Sequence, residues 1–484
     1  MIKKRKLTIL QINDTHGYLE EHQEMFWDAD KIRHETVGGY AKISGYFNQV
    51  RKERGAGNVI ALDNGDTLHG TFPAVHSKGE AFIQPLNHLK LDAWTVHWDF
   101  VFGPEKMEEL AGKLNHPLLA ANCHREETDE LPFPPTLTIE RGGIKVGIIG
   151  IAAYIIDKTF PSFVSKGLYF TLGKTELPRH IKHLREKEGA ELIVVLSHLG
   201  FPQDCKLASE IDGIDVLLSG HTHNRMYQPV EVGGATIIQS GCHGSFIGRL
   251  DVEMTGGKVS KITHELVTLD DKIRPDAEMQ KLVDEIYAPH RKMLAETVGK
   301  TATNLNRYTT LEATMDNVLL DAIAESAATE IAFSNGWRYA APIPAGAKVT
   351  MNDLWNIIPT DPPVETVEMT GAELWQMMEA NLENTFSSDP YKQMGGFVKR
   401  CRGLNIYFKI ENPKGARIQE FFAKGKRLEM DKTYQVAFVT EQGVPKKFGI
   451  NRSDTGIRAI DALRDYFKKH KTVKAELRGT VVAV

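Results

Sequence analysis

Four times in its first 223 residues this chain runs a short apolar, β-branched stretch into a cluster of aspartate or histidine. Leu7–Ile12 leads to Asp14-Thr15-His16, and Asn58–Leu62 to Asp63-Asn64-Gly65-Asp66. Leu192–Leu196 leads to Ser197-His198-Leu199-Gly200, and Val216–Leu218 to Gly220-His221-Thr222-His223. Two more runs, Ile144–Ile149 and Thr236–Gln239, share the pattern. Through about residue 265 such runs alternate with longer amphipathic stretches, which predicts strands and helices of a layered α/β domain.

Each cluster on its own says little. In Asp14-Thr15-His16 a carboxylate and an imidazole two residues apart can both leave a strand end, a donor pair that suits manganese, zinc or iron, but a surface aspartate and a capping histidine read the same way. Gly65 permits the tight turn that brings Asp66 forward as a bridging carboxylate. Of 18 histidines, sixteen precede residue 270, which assigns any metal chemistry to the first part of the chain.

With 484 residues the chain exceeds one ordinary core, and we expect residues 1–270 as a metal-binding domain, 271–300 as a polar connector helix interrupted near Pro289, and 301–484 as a second α/β domain. The second domain is expected to hold a helix over Glu312–Thr329, a proline-rich loop over Ile357–Val364, and strands at Gly403–Ile410 and Tyr434–Phe438. A formal charge of −4 supplies no basic field for a nucleic-acid polymer. Cys123, Cys205, Cys242 and Cys401 are widely spaced and read as free thiols of a reducing compartment. The basic start, Met1–Lys6, is followed by too short an apolar run for a secretory signal, and no run approaches a membrane span. The expectation is a cytoplasmic protein without a membrane partner, unless a leader was removed.

Taken in order, D-x-H, G-D, S-H-x-G and G-H-x-H resemble the signature of binuclear, calcineurin-like metallophosphoesterases, and the chain is similar to the 5′-nucleotidase family. The resemblance implies a four-layer α/β/β/α metallophosphatase domain followed by a 5′-nucleotidase C-terminal domain. It implies one divalent ion on Asp14, His16, Asp66 and His223, and a second on Asp66, His97, His198 and His221. Manganese or zinc is expected, with iron or cobalt as alternatives. Attack by a metal-bridging hydroxide on a nucleotide phosphomonoester is the implied reaction.

One stretch departs from the family. Where it reads N-H-[DE]-F-D-x-G, this chain reads His97-Trp98-Asp99-Phe100-Val101-Phe102-Gly103. His97 remains a competent ligand, but Trp98 and Val101 replace the histidine and aspartate that assist the leaving group, and an indole does not transfer protons at neutral pH. The form is similar to the thiosulfohydrolase branch, which releases sulfate from a carrier-protein cysteine arm. Ser240-Gly241-Cys242-His243-Gly244 and Asn381–Gly403 also look like that branch. Asp99 and His243 are then the acid/base candidates.

In the second domain Asn335-Gly336-Trp337-Arg338 resembles the family's N-G-x-R substrate loop, and Glu312–Asp321 its helix start. Arg338 would fork onto an oxyanion, with a catalytic as well as a binding role, beside Asn335. Phe386, Tyr391 and Phe397 would offer faces for a base to stack on. Three readings follow: a nucleotide phosphomonoesterase, a thiosulfohydrolase, or a metal- and nucleotide-binding protein without turnover.

Overall fold

The computed structural model describes residues 4–395 and 398–484. Contacts divide the chain into two units: Met1–Phe26 with Glu35–Pro289, and Trp27–His34 with His290–Val484.

Unit 1 is built on two sheets. Its strands are β1 (Lys4–Ile12), β2 (Val59–Asp63), β3 (Ala93–Trp94), β4 (Thr136–Arg141), β5 (Ile144–Ile151), β6 (Leu192–Ser197), β7 (Val216–Leu218), β8 (Val230–Val232), β9 (Ala235–Ile238), β10 (Phe246–Thr255) and β11 (Lys258–Thr268). One sheet has the order β11-β10-β1-β2-β3, the other β8-β9-β7-β6-β5-β4. Leu7, Ile9, Ile60 and Leu62 of the first pack in one buried cluster with Val146, Ile148, Val194, Leu196 and Leu218 of the second, so the sheets meet face to face. Helix α1 (Tyr40–Arg54) packs against β2 on the first sheet, and α2 (Glu176–Glu186) against β5 on the second. This is the α/β/β/α layering.

Register sets the site. β1 runs parallel to β2 with Ile12 opposite Asp63, and β6 parallel to β7 with Leu196 opposite Leu218. Their carboxyl ends therefore finish level, the position where open α/β sheets place ligands. β10 returns antiparallel to β1, with Gly248 opposite Gln11, and this brings the chain just before β10 to the same end.

The segment expected as a connector divides. After α3 (Phe201–Glu210), α4 (Ala277–Tyr287) is capped by Asp276, which accepts from the backbone of Glu278 and Met279. It buries Met279, Val283 and Tyr287, spaced four apart, and packs on α1 as part of unit 1. The expectation that this segment lacks core-forming surface is corrected by that stripe. Thr297–Thr301 is a strand of unit 2.

Unit 2 carries a sheet of β12 (Ile331–Ser334), β13 (Pro363–Thr370), β14 (Arg400–Arg402), β15 (Thr433–Val439) and β16 (Ile450–Arg458), in the order β14-β12-β15-β13-β16. Helices α5 (Thr314–Ser326) and α6 (Gly371–Phe386) complete the elements needed here; α6 opens with a capping box made by Thr370 and Glu373. Beside α5 lies a buried triad: Arg307 Nε donates to Asp316 Oδ1 at 2.9 Å and Arg400 Nε to Oδ2 at 3.0 Å. Arg307 Nη1 reaches the carbonyls of Tyr339 and Ile357, and Arg400 Nη1 and Nη2 reach those of Thr310 and Thr309. Among the described residues no helix is long and apolar enough to cross a membrane, and all four cysteines are free thiols.

Candidate metal centre

The loops after β1 and β2 are zipped together by their backbones. Asp14 N donates to Gly65 O at 2.9 Å and His16 N to Asp66 O at 2.7 Å. Gly65 has φ +90°, and a Cβ there would lie 2.4 Å from Thr95 O, so only glycine lets these loops approach the end of β3. Asn64 ties the two sheets: its Nδ2 donates to Ser197 O at 2.8 Å and Leu218 O at 2.7 Å, while its Oδ1 accepts from Gln11.

Onto this frame the structure gathers seven side chains. The ligand atoms of Asp66, His97, His198 and His221 lie within 4.8 Å of one another, and so do those of Asp14, His16, Asp66 and His223. These are the two sets implied by the sequence resemblance, with Asp66 shared. His223 Nε2 is 3.2 Å from Asp14 Oδ1, and His198 Nε2 is 3.3 Å from Asp66 Oδ2. His198 gives its Nδ1 to Asn64 O at 2.5 Å, which turns Nε2 toward the carboxylates.

These residues fit a pair of divalent cations. All are buried or nearly so, and among the described residues the two carboxylates face imidazoles and no lysine or arginine. Burial alone would lower His198, yet Asp66 and Asp14 more than offset it and hold it up to about 9: the carboxylate pair calls for positive charge. Burial keeps His16 well below the usual histidine range, as a neutral donor. The backbone is strained to match. Asp14, His16, Asp66, His221 and His223 have φ between 47° and 72°, a conformation costing roughly 1–3 kcal/mol each for residues other than glycine. Nitrogen and carboxylate donors in this number suit divalent ions such as zinc or manganese.

Two candidates for acid/base chemistry find other places. Asp99 accepts four backbone N–H groups, from Thr67 and Leu68 on Oδ1 and from Asp66 and His97 on Oδ2. With its acceptor positions so used, it fixes the two ligand-bearing loops and moves no proton. His243, 1% exposed, lies with ring centroids 6.1 Å from His16 and 6.3 Å from His223, next to Glu24 rather than in either group. Trp98 stacks on His69 at 4.9 Å and meets Phe160 edge-on at 4.3 Å, while its backbone N–H donates to Asp66. Asp204, which no motif singled out, accepts from Ser197 and Ser219 at 2.6 Å each and so ties the ends of β6 and β7 behind His198; burial pushes it up to about 7.

The substrate candidates lie in unit 2. Asn335 donates to Gln442 and accepts from Gly336 N, and Arg338 is half-buried in the same loop. Phe386 packs on the core and stacks on Phe408 at 5.5 Å, so it is a core side chain and not a base-stacking one. Tyr391 is half-buried in the turn Pro390–Lys392, and Phe397 lies outside the described residues. The role of Asn64 and the backbone-holding role of Asp99 were not readable from sequence; helical spacing from Leu374 through Leu382 to Phe386 is the signal that marks Phe386 as core.

The model of calcineurin-like phosphoesterases matches residues 7–225, and that of the 5′-nucleotidase C-terminal domain matches residues 297–440. In sequence the chain is similar to a snake venom 5′-nucleotidase of Naja atra, 24% identical over 536 residues, covering 99% of this chain and 98% of the relative. It spans 31%, 36% and 37% of the length of three further curated relatives. In fold it is similar to the sulfate thiohydrolase SoxB of Thermus thermophilus in complex with glycerol, with a TM-score of 0.92 at 23% identity, covering 99% of this chain and 96% of that one. A 5′-nucleotidase precursor, also of Thermus thermophilus, gives 0.86 at 24% identity, covering 99% of both chains.

Proposed function

Because the chain belongs to the 5′-nucleotidase family of calcineurin-like metallophosphoesterases, we propose that it hydrolyses a phosphomonoester of a nucleotide. One observation carries the reading: two buried ligand groups share Asp66 and hold no lysine or arginine. Two divalent ions held there, manganese or zinc in our reading, supply Lewis acidity toward an oxyanion and toward water. The chain does the rest. Asp66 spaces the two groups, Asn64 aims His198, and Asp99 clamps the loops that carry Asp66 and His97. Arg338 is the proposed oxyanion fork of unit 2, beside Asn335.

A specific observation favours a second reading. Trp98 and Val101 leave no imidazole at the position where the family protonates a leaving alkoxide. A sulfur leaving group needs no such help: even a free cysteine thiolate has a pKa of about 8.5, far below that of an alkoxide, so a sulfur anion departs without that proton. Hydrolysis of an S-thiosulfonated cysteine (Cys–S–S–SO3−) on a carrier-protein arm would form a new S–O bond from water, break the S–S bond to the sulfonate, and release sulfate, leaving a persulfide on the arm.

The test loads the protein with manganese or zinc and offers nucleoside 5′-monophosphates, an aryl phosphate and a small thiosulfonate, with Asp66→Asn as control. Phosphate released from nucleotides and lost in the control supports the first reading. Sulfate release with phosphoesters untouched replaces it with the second. Silence on every substrate, with metal still bound, overturns both in favour of a binding protein.

A further inference from the structure

We propose that His22, Glu24 and His243 form a third divalent-cation site in unit 1, beside the Asp14–His16–Asp66–His223 group. Their ligand atoms all lie within 4.8 Å of one another. The proposal is independent of which oxyanion the protein cleaves.

The site is built from two directions. His22 and Glu24 stand two apart on the strand His22–Asp28, so they share one face. His243 enters from the turn between β9 and β10, where its backbone N–H donates to Asp14 O at 2.7 Å. Arg225 and the backbone N–H of Met25, each at 2.8 Å, engage Glu24 Oε1 and fix the carboxylate. Oε2 is thereby turned toward His243 Nδ1 at 3.9 Å and Ser245 Oγ at 2.8 Å.

Counting protons shows what the cluster lacks. His22 Nδ1 is 3.3 Å from Glu20 O, a carbonyl that only accepts, so the proton of a neutral imidazole sits there and Nε2 is left as an acceptor. His22 Nε2, 3.0 Å from Ser245 Oγ, and Glu24 Oε2 then compete for one hydroxyl proton. His243 adds two ring nitrogens that are buried and make no hydrogen bond. A neutral His243 brings one N–H and one bare nitrogen, so three buried acceptors (that nitrogen, His22 Nε2 and Glu24 Oε2) share two protons, a shortfall that is costly unless a cation meets it.

Backbone strain gives an independent sign. Among the described residues of unit 1, nine residues other than glycine have positive φ, and three of them, Lys78, Lys90 and Asp129, lie on the surface. The six that are buried or half-buried are the five strained members of the two ligand groups and His243, at φ +59°. In this unit, interior strain is reserved for side chains that face the cations, and His243 shares it. Two imidazoles and one carboxylate make a set suited to zinc, with a position open to water or a substrate oxygen.

Metal-free protein is loaded with excess Zn2+, freed of loose ion by gel filtration, and its zinc per chain measured by plasma mass spectrometry. Three ions per folded chain are expected, falling to two in Glu24→Gln and in His22→Asn, the latter altering a half-exposed residue and so guarding against loss of the fold. Anomalous diffraction at the zinc edge should place the third ion on His243. Two ions in the unaltered protein, or three retained in both variants, overturns the site.

Discussion

The two units bury comparable carboxylates and satisfy them in opposite ways. In unit 2, Asp316 is fully enclosed and lies between two guanidinium groups, Arg307 and Arg400. In unit 1, Asp14 and Asp66 are as deeply buried, yet their partners are imidazoles. A guanidinium neutralises a carboxylate permanently; an imidazole does so only while it holds its proton, and gives that charge up when its nitrogen turns to a ligand from outside the chain. The contrast sets a carboxylate held by guanidinium groups on both oxygens apart from ones that face imidazoles, a distinction that composition alone conceals.

The largest test of this contrast is Asp316→Asn. Removing the shared negative charge, and replacing one acceptor by a donor, leaves two guanidinium groups buried without a counter-ion, and we expect about 3–5 kcal/mol lost from unit 2 in denaturant unfolding, with or without metal. A loss below about 1 kcal/mol would mean that the triad's carbonyl partners suffice. Asp66→Asn should behave differently. In chelator-treated protein above about pH 9, where His198 has lost its proton, its unfolding free energy should match the unaltered chain within about 1 kcal/mol, because the carboxylate then has no counter-ion to lose. With metal at a hundredfold excess over the dissociation constant, the unaltered chain should gain about 2.7 kcal/mol that the variant lacks. Equal destabilisation in both conditions would place Asp66 with Asp316, as a structural acid.

The smallest effect falls on Phe386. As a core side chain, Phe386→Leu should lower stability by about 1 kcal/mol and leave KM for a nucleotide unchanged. A raised KM at unchanged stability would restore it as a base-stacking residue.

Much of unit 1 was legible because metal ligation restricts residue types and strand ends restrict their place. An aspartate or histidine directly after an apolar run leaves a local mark, as Asp14, Asp66, His198 and His221 do. His22 and Glu24 leave none: they sit on a polar hairpin strand with no preceding apolar run, and only the returning β10 brings His243 beside them. Asp99 reads as an acid, and its four backbone donors come from two loops some thirty residues apart. In unit 2 the role of an aromatic residue lies in its spacing and not in its type. Leu374, Met378, Leu382 and Phe386 repeat every four residues, the stripe of a helix facing its own core.

The meeting of the ends of β1 and β7 has a consequence for the order of events in the cell. Asp14 and His221 are 207 residues apart in the chain, yet His221 N donates to Asp14 Oδ2 at 2.9 Å. A ribosome adding roughly 5–20 residues per second needs about 10–40 s between them. Throughout that interval the emerging chain carries Asp14, His16 and Asp66 without their later partners. Ion capture is therefore a late event of biogenesis, deferred until His223 and with it most of unit 1 has been translated.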